Sequence, residues 1–201
     1  MADTPLLIAG LGNPGAEYAR NRHNAGFMAV DTIHESYEFG PWRSRFQGMI
    51  SEGTLGKRKV YLLKPMTYMN LSGQAVRSVA GFYRIAPQSI LVAHDELDFP
   101  PGVVRLKEGG GAGGHNGLRD LIAQLDDGFW RLRIGIGHPG DRDAVLDYVL
   151  GRPPAAEADL IHEAVLAAAD AVPVMLTDGA QRAMNRLHMR GAAGPSPRSP
   201  A

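Results

Sequence analysis

The sequence predicts a single α/β domain built on a twisted, mixed β-sheet flanked by helices. Three observations predict it. Apolar runs of strand length alternate with segments of helical periodicity. The 25 glycines and 14 prolines mostly punctuate the ends of those runs instead of forming a linker between two domains. One pair of successive strands is also joined by a connection too short for a helix, so the strands cannot all run parallel.

Strand-length apolar runs occur at residues 6–11 (LLIAGL), 60–63 (VYLL), 90–93 (ILVA), 103–106 (VVRL) and 132–136 (LRIGI), with a shorter candidate at 49–51. The short connection is the one between 90–93 and 103–106. Helical spacing fits residues 25–37, 71–83, 118–125, 155–175 and 181–190. In the second of these, Leu71, Ala75, Val76, Val79 and Tyr83 share one face. Pro173 is expected to end or kink the long helix at 155–175. One domain is expected over residues 1–190. The last eleven residues, GAAGPSPRSPA from 191 to 201, are expected to be a disordered tail.

Composition excludes several function classes. The 201 residues carry 21 basic and 21 acidic side chains, so a polycation that coats nucleic acid by bulk charge is excluded. No cysteine is present, which removes disulfide scaffolds, thiolate nucleophiles and cysteine-ligated metals. The first residues, MADTPLLIAGLG, lack the basic start of a signal peptide, and no run of about 18 apolar residues occurs. A cytoplasmic protein without membrane association is expected. Residues 43–94 nonetheless hold 8 basic and 1 acidic residue, while 95–178 hold 7 and 15. Overall balance therefore leaves room for a local basic groove.

Two glycine loops stand out. GLGNPG at 10–15 formally matches a dinucleotide-binding fingerprint, but Asn-Pro-Gly is a turn and the polar stretch after it is poorly periodic. GGGAGGHNG at 109–117 lacks the Lys-Ser/Thr ending of a phosphate-binding P-loop. Its five glycines in six residues are costly to order, which favours a loop that presents His115 and Asn116 at a helix start over a mere connection.

Asn13, Asn70 and Asn116 sit beside turns or strand ends, where asparagine commonly caps the chain; Asn70 reads equally as the cap of the helix starting at 71. Together the three carboxamides can bind peptide C=O and N–H groups without charge. His94 and Asp95 end the most apolar strand, where ligand crevices form in α/β sheets, and His23 lies between the first glycine loop and a helix. A histidine and a carboxylate brought together there are a general base and its orienting group. No G-x-S-x-G elbow occurs, so water activated by histidine is the simpler chemistry. A metal site on His94, Asp95, Glu96, Asp98 and His115 lacks a helical ligand pair and is the lesser reading.

The blocks GLGNPG, RHNAG around His23, MTYMNLSG, AHDELD, GGGAGGHNGL and RLRIGIGHP resemble, in order and spacing, those of bacterial peptidyl-tRNA hydrolases. The resemblance implies a single α/β domain that hydrolyses the ester between a peptide and the 3′ ribose of tRNA, recycling tRNA after ribosomal drop-off. It implies His23 as the base, Asp95 as its orienting partner, and Asn13 as the residue that separates blocked from free aminoacyl ends. Asn70 and Asn116 resemble binders of the peptide main chain, with Asn13 or Asn116 also placed to stabilise the oxyanion; His115 joins the substrate-binding set. Tyr18 and Tyr68 match positions that touch the tRNA 3′ CCA end, and Lys107 and Arg133 a basic pair that grips its phosphate. No cofactor, no metal and no obligatory protein partner are implied, and the expected form is a monomer. Ala112 departs from relatives that carry a second histidine in the glycine loop. A binding-only RNA protein on the same fold and a metal-dependent amidase are the alternatives of other classes.

Overall fold

The computed structural model describes residues 4–192. In chain order the elements are β1 (Leu6–Gly10), α1 (Ala25–Ser36), β2 (Arg43–Arg45), β3 (Gly48–Leu55), β4 (Arg58–Pro65), α2 (Ser72–Tyr83), β5 (Ile90–Glu96), β6 (Val104–Glu108), α3 (Asn116–Leu125), β7 (Trp130–Gly135), α4 (Val145–Val149), α5 (Ala155–Asp178) and α6 (Ala180–Ala192). The strands form one sheet in the order β2-β3-β4-β1-β5-β7-β6. The central β4, β1, β5 and β7 run parallel, whereas β2, β3 and β6 pair antiparallel.

β4, β1 and β5 are apolar on both faces through their middles, as a sheet covered on both sides demands, while β7 is apolar on one face only. Leu6 and Ile8 of β1 join the core under α1, α5 and α6, while Leu7 and Ala9 join the one under α2 and α3. Closeness of α1 to the sheet depends on two glycines: a Cβ at Gly10 would lie 2.2 Å from the Gly26 carbonyl oxygen, and one at Gly26 would lie 2.3 Å from that of Ala93. This contact lowers the start of α1, with His23 just before it, onto the ends of β1 and β5.

The mixed sheet is as expected, but the short β5–β6 connection does not make those strands neighbours, because β7 inserts between them. Two elements carry no signal of the expected kind. All three residues of β2, Arg-Ser-Arg, are exposed, and α4 is five residues long, too short to show a helical period. Pro173 does not end α5, which continues to Asp178. A proline frees the carbonyl four residues earlier, and here the Tyr37 hydroxyl donates to that Ala169 oxygen at 3.4 Å. The helix α6 runs to Ala192, two residues into the expected tail, and the rest of that tail lies outside the described residues. Of the described helices, α5 is long and apolar enough to cross a membrane; its face bearing Ile161, Val165, Ala168 and Val172 is packed in the core.

Replacing Gly26 with alanine puts a methyl group against three backbone atoms, two of Leu11 just after β1 and one of Ala93 in β5. It is expected to cost about 2 kcal/mol or more in urea unfolding.

Candidate active site

Three segments meet above the ends of β1 and β5. The first is the turn Arg22–Asn24, a single 3-10 turn ahead of α1. Arg22 anchors it from below: its buried guanidinium lies 4.0 Å over the Tyr148 ring, bonds the Tyr148 carbonyl at 3.2 Å and pairs with Glu157 at 2.9 Å. Asn24, 1% exposed, clamps the chain after β1, accepting the Asn13 N–H and donating to the Asn13 carbonyl, both at 2.9 Å. The Asn13 side chain is fixed in turn, since its Oδ1 accepts the Met69 N–H at 2.9 Å. That bond assigns the amide and leaves Nδ2 as the donor end.

His23 Nδ1 lies 2.9 and 3.0 Å from the two oxygens of Asp95, and His115 Nε2 lies 2.8 Å from Asp95 Oδ1. A single carboxylate, its side chain 2% exposed, thus serves two imidazoles whose rings stand 5.0 Å apart. The two histidines differ in what remains. His115 Nδ1 accepts the Leu118 N–H at 3.3 Å and so caps α3, leaving neither nitrogen over. His23 keeps Nε2. Gly113 and Gly114, at φ +57° and +83°, turn the chain so that His115 arrives at this cap.

Burial pushes the Asp95 carboxyl up, but the two imidazoles outweigh it and hold it well below the usual carboxylate range. Burial lowers the His23 imidazole, yet the charge and hydrogen bond of Asp95 prevail and raise it above its ordinary 6.5. His94 is a different case. Burial first, then the neighbouring His115, push it down to about 3, and its Nδ1 is spent on the Asp95 carbonyl at 2.8 Å. His94 holds position and does no acid–base work near neutrality.

The remaining expected residues surround this centre. Asn70 is exposed in the turn Met69–Leu71 and caps nothing. The Asp120 carboxylate of α3 instead accepts the Gly73 N–H at 2.7 Å at the start of α2. Asn116 opens α3, exposed, with its Oδ1 taking the Arg119 guanidinium at 2.8 Å. Tyr68 is exposed beside Asn70, and Tyr18 is half-buried on the loop between Asn13 and His23. Lys107 is exposed, whereas Arg133 pairs with Glu96 at 3.0 Å. They do not sit directly opposite each other. The register pairs Lys107 with Arg131 and Arg105 with Arg133, placing four cations on one face of β6 and β7. Arg131 is buried and donates to the carbonyls of Gly110 and Gly111, tying down the glycine loop.

Sequence reasoning did not single out Asn24, Arg22, Arg105 or Arg131. The alternation in VRLK and WRLR is the signal that marks the two arginines as facing Lys107 and Arg133. The metal set weighed from the sequence is dispersed, with Glu96 paired to Arg133 and Asp98 exposed. A different set converges: one ligand-type atom each from His23, Asp95 and His115 lies within 4.8 Å of the others. These atoms already satisfy one another, and a metal would have to replace the three hydrogen bonds that hold the imidazoles in place.

Fold and centre together define an α/β domain in which a buried carboxylate orients an imidazole beside a fixed carboxamide, an arrangement that suits a general base. The family described as "Peptidyl-tRNA hydrolase" matches residues 7–194. The chain is 52% identical over 193 residues to the peptidyl-tRNA hydrolase of Parvibaculum lavamentivorans, covering 96% of this chain and 93% of that one. It is 50% identical over 181 residues to that of Rhodospirillum centenum, covering 90% and 80%. The crystal structure of the Acinetobacter baumannii peptidyl-tRNA hydrolase superposes with a TM-score of 0.88 at 48% identity, over 93% of this chain and 95% of that one. The chain belongs to the peptidyl-tRNA hydrolase family.

A depressed histidine pKa takes stability away in acid, because the unfolded chain binds a proton near pH 6.5 that folded His94 refuses until about 3. Asp95, also depressed, adds its loss only as pH falls below the ordinary 3.8. Urea midpoints measured across pH should therefore fall from about pH 6.5 downward. A His94→Gln variant should flatten that fall down to about pH 4 and keep the steeper loss below it.

Proposed function

We propose that the protein hydrolyses the ester joining a peptide to the 3′ ribose of tRNA through water activated by His23. The observation that carries this reading is the division of labour on Asp95: the carboxylate fixes Nδ1 of His23, so that Nε2 is the available base, while His115 has no nitrogen to spare. Nε2 takes a proton from water as the hydroxide attacks the ester carbonyl. The tetrahedral oxyanion is met by a donor from Asn13 Nδ2, which the Met69 bond holds in advance. Collapse returns the proton from His23 to the departing ribose oxygen, and the Asp95 charge supports the imidazolium in between. No covalent intermediate forms.

Asn70 and Asn116 bind the peptide main chain. A blocked amino end offers a neutral N–H to these carboxamides, whereas a free aminoacyl end offers an ammonium beside a proton-accepting imidazole, and Asn13 completes that distinction. Tyr18 and Tyr68 contact the CCA end. Lys107 and Arg133, flanked by Arg105 and Arg131, hold the acceptor phosphate. His115 positions Asp95 and lines the substrate cleft. The scheme is that of a monomeric cytoplasmic enzyme that works without partner, cofactor or metal.

The protein should cleave N-acetyl-aminoacyl-tRNA and spare aminoacyl-tRNA. His23→Ala should lose at least about a hundredfold in kcat/KM, the scale of a lost general base. Turnover should stand unchanged in excess chelator, and retention of most activity by His23→Ala would refute its role.

In the pH profile of kcat/KM, activity should rise through an apparent pKa above the ordinary 6.5 as His23 loses its proton. Asp95→Asn removes the charge and the carboxylate hydrogen bond that raise it and leaves burial unopposed. The acid limb should then move below its place in the unaltered protein while the plateau drops.

A further inference from the structure

Strand order lays the site out as a line. Lys107 and Arg133 stand on β6 and β7, the Asp95 centre at β5 and β1, and Tyr68 and Asn70 on the loop that leaves β4. The next feature outward is the turn between β2 and β3. Antiparallel pairing sets that turn, Arg45 to Gly48, level with Pro65 at the end of β4, and the Met66 N–H bonds the Gln47 carbonyl at 2.9 Å. With RNA phosphate placed at the β6–β7 end, as proposed above, this turn lies on the side left for the peptide.

The turn is built at a cost. Phe46 and Gln47 hold φ of +57° and +55°, the left-handed region that tight hairpins normally give to Asn and Gly. The strain sets the Phe46 ring 5.3 Å from that of Phe82, and the Arg45 guanidinium lies 4.5 and 4.4 Å over the two rings. Phe82 is 57% exposed. Together with Met66, Tyr68 and Leu71 it makes four of the seven exposed large apolar side chains among the described residues, all on this side of the site. Arg43 and Arg45 have no carboxylate partner among the described residues. A cleft of about 290 Å³ opens beside them, lined also by Ser51, Tyr61, Tyr83 and Glu52, whose carboxylate pairs with Lys59 at 3.3 Å.

We infer that Arg45, Phe46 and Phe82 form a distal peptide subsite, a cationic and aromatic platform that takes acidic and aromatic side chains of the nascent peptide. The inference rests on peptidyl-tRNA being the substrate. From β5 to β2 is four strand spacings, about 19 Å, which an extended chain covers in about five to six residues. Short peptides therefore end before the platform and long ones cross it. A peptide fits better than RNA because the substrate's nucleic acid is engaged at the opposite end of the line.

The test uses the full chain and two substrates: N-acetyl-aminoacyl-tRNA, and an octapeptidyl-tRNA with Asp and Phe at about the fifth to seventh residues from the ester. Arg45→Ser and Phe82→Ser, both at exposed positions, should each lower kcat/KM on the long substrate by about three- to tenfold. Turnover of the short substrate should stay unchanged, which also reports that the variants are folded. Equal loss on both substrates, as an RNA contact would give, overturns the proposal, and so does no loss on the long one. No turnover of either by the unaltered protein removes the hydrolase reading and the subsite with it.

Discussion

A single buried carboxylate holds this site together. Asp95 ends a strand covered on both faces, and its charge is tolerable there only because two imidazoles donate to it. Each imidazole belongs to a different helix start, His23 before α1 and His115 before α3. The carboxylate therefore joins the two layers of helices across the top of the sheet. Removing it leaves two half-buried donors unpaired and frees both helix starts at once.

The rest of the structure delivers those groups to Asp95. Gly10 and Gly26 let α1 approach the sheet; Arg22 fixes the turn that carries His23 against α4 and α5. On the other side Arg131 draws the glycine loop toward β7, and His115 caps the helix that follows. The Asn24 carboxamide grips the Asn13 backbone, and the Met69 N–H, from a separate segment, holds the Asn13 side chain. Polar atoms near the reacting centre are thus oriented before any substrate arrives, which is the condition for electrostatic catalysis.

Much of this was legible in the chain. The strands β1, β4 and β5 carry continuous apolar runs, and His23, Asp95, Asn13, Asn70 and Asn116 all stand at element ends, where reading turns and strand termini finds them. What was hidden lies in cross-strand or cross-helix pairing. β2 has no apolar residue, so only its register with β3 makes it a strand. The continuity of α5 through Pro173 depends on a hydroxyl from residue 37, far away in sequence. Asn70 resembles a helix cap until Asp120, on the next helix, is seen to do that work. The pairing of Lys107 with Arg131 instead of Arg133 is likewise a fact of register.

The Asp120 bond has a wider consequence. By closing the start of α2 with a carboxylate from α3, where a Cβ at Gly73 would meet the Asp120 carbonyl at 2.7 Å, the fold welds the two helices into one rigid piece. Asn70 leads into one and Asn116 opens the other, so their backbone positions keep a set separation. On the proposed reading, in which these two residues bind the peptide main chain, such a caliper gauges the repeat of the backbone, which every protein sequence shares, and is indifferent to the side chains near the ester. A hydrolase of peptidyl-tRNA gains generality from a fixed measure of the main chain, and can leave discrimination to the length and ends of the molecule.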